Sequence, residues 1–379
     1  MEKTSYFSVR YDLIQVEEPI GFDLFVNSSS VKGKEKFVRI FPSGGTLQKK
    51  DLEEYHHKYF QLYVPEEQRR TYLRSLVKSN VDDLTKTEVI KDSALQYLHT
   101  LFDKGKEFST ELLSQNIEGC REVVESMVDV LDHHSIDSLK NLIGNLSFHD
   151  FYTYDHSINV SMYCIQIYKV VNPKATRREL IHAGLGGLLH DLGKIKIPTH
   201  ILNNPGGLSN EDYQMIKQHP DFGLELLLHG HCKVDDSIDL KIIARIVHEH
   251  HENIDGTGYP KKLKGKEQIH LLARVCTIAD FFDAITTKRS YNEVLSIPEA
   301  MNTMKKFRNL KLDPDIFDIF DQHVKYIRAD YTRDLRLLDS FDPTLPYATL
   351  PIEEIQKLQK ELDFGKIKVV DSGTKKKRG

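Results

Sequence analysis

From about Asp82 to Asp330 the chain keeps a helical period with almost no strand signal, and five histidines and two aspartates mark that run: His156, His190, Asp191, His219, His250, His251 and Asp280. Segments of this kind can hide their apolar stripes only against one another, so the pattern demands a helical bundle. The spacing predicts helices over about 150–171, 177–191, 209–229, 237–248, 268–287 and 295–308. Separated histidines and aspartates that each adjoin such a helix form the N/O ligand set that holds transition metals inside a bundle, which is an enzyme's pattern.

Two more amphipathic stretches lie upstream. One runs through Val89, Leu95, Leu98, Leu101 and Phe102, the other through Leu112, Ile117, Val123, Val124, Met127, Val128 and Leu131. They either link two domains and pass signals between them or pack as extra helices of the same core. Before them the period is two. Phe7, Val9, Tyr11 and Leu13 alternate, as do Phe22, Leu24 and Val26, and Lys36 to Phe41 and Leu62 to Val64 read as further strands. Helices are expected over Leu47 to Phe60 and Glu66 to Val77, the second with Pro65 at its first turn.

The expected architecture is therefore multidomain: an all-α bundle preceded by a small α/β N-terminal domain. Residues 1–80 form that domain, with a regulatory role open to it, 81–134 a helical linker, 135–330 the catalytic bundle and 331–379 a C-terminal extension. The extension has turns at Pro343 and Pro346, a short helix over 352–362 and a basic end of Lys375, Lys376, Lys377 and Arg378, read as a solvated terminus.

A length of 379 residues accommodates two domains, and 40% hydrophobic with 28% charged residues is an ordinary soluble composition. The net charge of −4 supplies no global field for duplex nucleic acid or an anionic membrane. No apolar stretch of a signal peptide follows Met1, and no uncharged run reaches the roughly 18–20 residues of a membrane span, so a cytoplasmic protein without membrane insertion is expected. Cys120, Cys164, Cys232 and Cys276 form no C-x-x-C pair and read as small buried apolar residues.

His190 and Asp191 adjoin at a helix end, where the imidazole can bind a single metal and the carboxylate is free to bridge two. Lys194 falls on the same side as Asp191 if the helix continues, and its ammonium favours a bound phosphate. A lone His-Asp pair is weak evidence, because histidine is often a hydrogen-bonded core residue; the ordered set around it makes the case. Mixed imidazole and carboxylate ligation suits iron, manganese or zinc. Gly256, Gly258 and Pro260 bound a tight loop in which Tyr259 presents a ring or a hydroxyl to a base or to the loop itself, and residue type alone favours the loop. His248 reads as a helix-end group rather than a ligand, and His149, His182, His200, His229 and His231 receive no role.

The text around these residues is distinctive: Tyr-Thr-Tyr-Asp-His-Ser from Tyr152, Leu-Leu-His-Asp-Leu-Gly-Lys from Leu188, and Ile-Leu-Asn-Asn-Pro-Gly-Gly-Leu-Ser from Ile201. It continues with His-Pro-Asp-Phe-Gly from His219, His-His-Glu-Asn-Ile-Asp-Gly-Thr-Gly-Tyr-Pro from His250 and Ala-Asp-Phe-Phe-Asp-Ala from Ala279. Over about Leu146 to His323 the chain thus resembles the HD-GYP family, the HD-superfamily metal phosphohydrolases that cleave bacterial cyclic di-GMP.

The resemblance implies that His156, His190, Asp191, His219, His250, His251 and Asp280 bind two metals, most often iron, with Asp191 bridging them. Tyr152 stands where some members carry a glutamate for a third metal. It further implies attack by a metal-bridging hydroxide, with Lys194 stabilising charge on the phosphate and the linear dinucleotide pGpG, and in some cases GMP, as product. Asp191 and Lys194 are then the catalytic residues. Tyr259 and Arg289, with Lys194, are the substrate contacts, Arg289 by its planar donor fork. Asp283 either protonates the leaving oxygen or, as such a residue more often does, orients a ligand.

Four departures bear on rate and affinity. Asn292 replaces a second basic residue, the chain between Pro260 and Asp280 is one residue longer than usual, Lys262 stands where glycine is common and His270 where proline is common. They keep open an alternative, a weakly active cyclic di-GMP receptor that signals through protein contacts. A phosphohydrolase of another nucleotide is a third reading, disfavoured by the complete Gly258-Tyr259-Pro260 tripeptide. Homodimers and signalling proteins both stay open as partners.

Overall fold

A computed structural model describes residues 5–29, 35–103, 109–132, 134, 139, 152–202, 209–228, 234–287 and 295–324. Arg289, Asn292, Cys232, His149, His229, His231, the approach to the helix expected from residue 150 and the whole 331–379 extension lie outside the described residues.

Strands β1 (Tyr6–Val9), β2 (Leu24–Asn27), β3 (Phe37–Phe41) and β4 (Leu62–Pro65) form one antiparallel sheet in the order β1-β4-β2-β3. Alternation puts Phe7, Val9, Leu24, Val26, Leu62 and Val64 in the core. The first alternating run stops at Val9, because Tyr11–Leu13 turn into a 3-10 segment. Helix α1 (Lys49–Lys58) buries no residue, whereas α2 (Arg69–Lys78) covers the sheet with Tyr72, Leu73 and Leu76.

Helices α3 (Asp83–Phe102) and α4 (Thr110–Leu131) begin at side-chain caps, with Asp82 accepting from the Thr85 amide at 2.9 Å and Ser109 from Leu112 at 3.1 Å. Their apolar faces belong to the same core cluster that runs from Phe7 to Val324. Both helices therefore pack within that common core. Lys91 on α3 pairs at 2.6 Å with Asp155 on α5 (Tyr152–Val171), both side chains almost wholly buried.

The remaining helices longer than four residues are α6 (Arg177–Leu189), α7 (Asn210–Ile216), α8 (His219–Leu228), α9 (Leu240–Glu249), α10 (Leu271–Thr286), α11 (Ile297–Lys306) and α12 (Pro314–His323). The single helix expected over 209–229 is broken between α7 and α8. Pro220 has no amide hydrogen to offer the Ile216 carbonyl, so the ladder cannot run through. Helix α12 was not expected from the periodicity; Asp313 caps it, Pro314 occupies its first turn, and Phe320 meets Phe282 with ring centres 5.2 Å apart. The result is a mostly helical molecule preceded by a small antiparallel sheet, as the sequence pattern implies.

Candidate metal centre

Three helix ends build the centre. The last turn of an α-helix leaves carbonyls without intrahelical donors. Here histidine rings fill that need: His190 Nδ1 lies 2.7 Å from the Gly187 carbonyl at the end of α6, His219 Nδ1 2.8 Å from Ile216 at the end of α7, and His250 Nδ1 2.8 Å from Val247 at the end of α9. The carbonyl that Pro220 leaves without its helical donor is the one His219 takes. Each ring thereby carries its proton on Nδ1 and turns the Nε2 lone pair inward, the orientation a metal ligand needs. The negative ends of three helix dipoles converge on the same point and favour a cation there.

What meets inside is a set of acceptors. His219 Nε2 and His250 Nε2 face each other at 3.2 Å, and Asp191 lies 3.3 Å from both His190 Nε2 and His219 Nε2. Asp191 Oδ1 is buried and accepts no hydrogen bond among the described residues. His156 Nε2 is 3.0 Å from Asp280 Oδ1 while its Nδ1 is 2.7 Å from Asp283. Ligand atoms from Asp191, His219, His250 and His251 lie close enough to hold one ion, as do those from His156, His190 and Asp191 and those from His190, His250 and Asp280. Asp191, His190 and His250 are each shared by two of these groups, and of the three only the carboxylate has two oxygens to offer. Burying so many lone pairs together is costly unless a cation closes them, and the donor set fits transition metals.

The electrostatics agree. Burial pushes the His219 imidazole down to about 4, and burial with His190 and His219 nearby holds His250 well below the usual histidine value. Burial, reinforced by the neighbouring His250 and His219, does the same to His251. Burial raises the Asp191 carboxyl, but the Lys194 ammonium at 2.6 Å and His190 outweigh it and hold the group well below the carboxylate range. The rings are thus neutral and the carboxylate ionised, ready to ligate. His156 differs: burial lowers it, yet Asp280 and Asp283 together pull it up to about 9. The two carboxylates thus favour the protonated form of this ring, unlike the other three.

Two glycines are set by close approach. A Cβ on Gly193 would lie 1.9 Å from the His219 carbonyl, so only glycine lets the 3-10 turn Leu192–Lys196 press Asp191 against α8. A Cβ on Gly258 would lie 2.2 Å from the Asn253 amide nitrogen. The loop between them and α10 is clamped by Glu252, which accepts from the amides of Lys261 at 2.6 Å and Leu263 at 2.9 Å. Lys262, between those amides, has φ of 56°, the left-handed region that explains why glycine suits this position.

Tyr259 stacks on the His251 ring with centres 4.7 Å apart, and its hydroxyl is buried. It therefore touches His251, one of the candidate ligands. Its ring, with Tyr213, Lys217, Lys311, His250, His251 and Asp280, bounds a cavity of about 420 Å³.

All seven expected ligands come together. Asp283 orients His156 and is itself held by Asn159 Nδ2 at 3.1 Å and Thr287 Oγ1 at 2.6 Å. His248 pairs with Asp221 at 3.0 Å and belongs to none of the ligand groups. His270 caps α10 through the Leu272 amide at 3.2 Å and does not line the cavity. Sequence reasoning missed Glu252, Asn159 and Lys217. Glu252 lay within the motif that starts at His250 and Asn159 two residues past the one that starts at Tyr152, while Lys217 carries a signal only in its distance from Pro220.

Residues 144–316 match the HD domain family model. A cyclic di-GMP phosphodiesterase of Pseudomonas aeruginosa is 38% identical over 199 residues, 52% of this chain and 45% of the relative. A 3'3'-cGAMP-specific phosphodiesterase of Vibrio cholerae is 31% identical over 182 residues, 48% of this chain and 37% of the relative. A cyclic di-GMP phosphodiesterase of Thermotoga maritima is 34% identical over 146 residues, 38% of each. The chain thus spans less than half the length of each of these relatives. A solved HDG"Y"P protein from Bdellovibrio bacteriovorus, 19% identical, superposes with a TM-score of 0.51 over 84% of this chain and 99% of its own, a likeness of fold. Among the described residues no helix is long and apolar enough to cross a membrane. Residues 144–316 thus match the HD domain family, and the motifs within them resemble those of the HD-GYP type.

Proposed function

We propose that the chain is a metal-dependent phosphodiesterase that opens cyclic di-GMP to the linear dinucleotide pGpG, and onward to GMP where the second diester is also cut. The observation that carries this reading is the cluster of inward-facing acceptors around Asp191, beside a cavity that reaches His250, His251 and Asp280. The names of the relatives support the substrate class.

Asp191, His219, His250 and His251 would hold one ion, and His156, His190 and Asp280 with the shared Asp191 a second. The mixed ligation suits iron, manganese or zinc, and the family resemblance favours iron. When bound, the ions would acidify water at neutral pH and draw charge from the phosphate oxygens. The protein's own share is positioning. Lys194, anchored on Asp191 at 2.6 Å, places an ammonium where a non-bridging phosphate oxygen gains charge. Asp283 is committed to His156, Asn159 and Thr287, which favours an orienting role over proton donation to the leaving oxygen. Tyr259 contributes to substrate binding through its ring, since its hydroxyl is buried, and Arg289 is retained as a phosphate ligand on the family resemblance.

The test is product analysis with the purified chain, reconstituted without oxygen with iron or manganese and given cyclic di-GMP or 3'3'-cGAMP. Formation of pGpG at about two ions per chain supports the proposal. Tight binding of cyclic di-GMP without turnover at full metal content supports the receptor reading, and no cleavage or binding of either compound overturns both.

A further inference from the structure

The helix break before Pro220 does more than turn His219 inward. It ends α7 at Ile216 and leaves Lys217 as its cap, half-buried on the wall of the cavity. The Lys217 ammonium lies 4.6 Å from the centre of the Tyr259 ring and 5.0 Å from that of Tyr213. Among the described residues it donates no hydrogen bond and meets no carboxylate within ion-pair distance. Contacts to two aromatic faces hold an ammonium in place without using its three N–H donors. A lysine kept in this way beside a metal centre is set up for an anion.

A cyclic dinucleotide supplies one. It carries two phosphodiester anions on opposite sides of its ring, and a single metal centre with Lys194 can serve only the one being cut. The reading rests on the phosphodiesterase function argued above. We propose that Lys217 holds the second phosphate of the cyclic dinucleotide while the first lies at the metal centre, so that it selects two-phosphate rings over simple diesters. Lys311, the other lysine on the wall, packs 5.4 Å from the centre of the Phe307 ring and lies on a different element. Lys217 lines the cavity together with Tyr213 and Tyr259.

The experiment compares the metal-loaded full chain with Lys217→Met, which keeps the length and apolar packing, and with Lys217→Arg, which keeps the charge. Substrates are cyclic di-GMP and bis(4-nitrophenyl) phosphate, which has one phosphate. Loss of a charge-assisted contact predicts that Lys217→Met raises KM for cyclic di-GMP roughly ten- to hundredfold, with a far smaller effect on kcat. Metal content stays at the wild-type level, the loss on the small diester is several times smaller, and Lys217→Arg recovers most of the affinity. The KM of wild type also climbs more steeply with salt than that of Lys217→Met. Equal losses on both substrates, or a fall in metal content, would mean that Lys217 merely braces Tyr259, and would overturn the proposal. An unchanged KM on a wild-type enzyme that does cleave cyclic di-GMP sinks this inference alone. A wild type that cleaves no cyclic dinucleotide sinks the functional reading and this inference with it.

Discussion

The sheet region and the helical bundle both bury polar side chains, and they settle them in opposite ways. Near the sheet, donors meet acceptors: Arg69 reaches Glu66, Ser93 and Gln96, and Asp23 accepts from the Ser43 amide and from Gln68. In the bundle, Asp191, His219, His250 and Asp280 turn lone pairs toward one another. The first arrangement is complete as it stands and stabilises the fold. The second is costly to bury unless a cation closes it, so the mismatch itself points to the candidate metal centre.

The largest effect should come from removing the shared carboxylate. Asp191→Ala is expected to take turnover to background and strip metal from the chain, because one group serves both ions. His56→Ala, on the exposed helix α1 of the sheet region, should change neither quantity. Lys194→Ala should keep its metal and lose activity. Metal analysis beside a hydrolysis assay decides this, and an Asp191→Ala protein with full metal content would break the comparison between the two regions.

Next in size is the junction between α3 and the bundle. Lys91→Met leaves the Asp155 carboxylate buried without its partner, one residue from His156, and breaking such a pair typically costs about 3–5 kcal/mol. Denaturant unfolding should show this loss, and the double variant Lys91→Met/Asp155→Leu should recover most of it. A single variant as stable as wild type would mean that α3 does not depend on this contact.

A smaller effect follows from the proton on His156. In the metal-free chain its folded value of about 9 lies above the ordinary 6.5, because Asp280 and Asp283 outweigh a burial that acts the other way. A raised value stabilises the fold fully below about pH 6.5, and the contribution is lost as pH rises through about 9. Thermal melts of the metal-free protein across that window should fall, and those of the metal-loaded protein should fall less, since an ion replaces the proton. Equal slopes would argue against a metal between His156 and Asp280.

The smallest effect concerns backbone strain, which both regions carry. Glu17 in the sheet region has φ of 67° and Lys262 beside the metal loop has φ of 56°. Replacing either with glycine should raise stability by up to about 1 kcal/mol. Only Lys262→Gly should also shift KM, because its loop carries Tyr259. Matching kinetics for the two variants would remove the loop from the account of substrate binding.

The candidate metal ligands that the structure brings together were legible in the text alone, because histidine and aspartate at helix ends are rare enough together to stand out and their motifs resemble a family's. The helical run from Asp82 and the sheet before it were legible too, because the periods of 3.6 and 2 report which face of a local segment meets the core. The break at Pro220 was open to the same reasoning but was overridden by the apolar spacing across it.

Other features were decided only when the helices packed. The Lys91 and Asp155 pairing joins segments far apart in sequence, and no periodicity on α3 says which helix its lysine will meet. The same holds for Tyr259, whose ring came to rest on His251, and for Lys217 between Tyr213 and Tyr259. Sequence by itself determined which atoms could bind a metal. Tertiary structure decided which nitrogen of each histidine faces inward and which side chains form the cavity wall, because both depend on carbonyls and rings contributed by other turns and other helices.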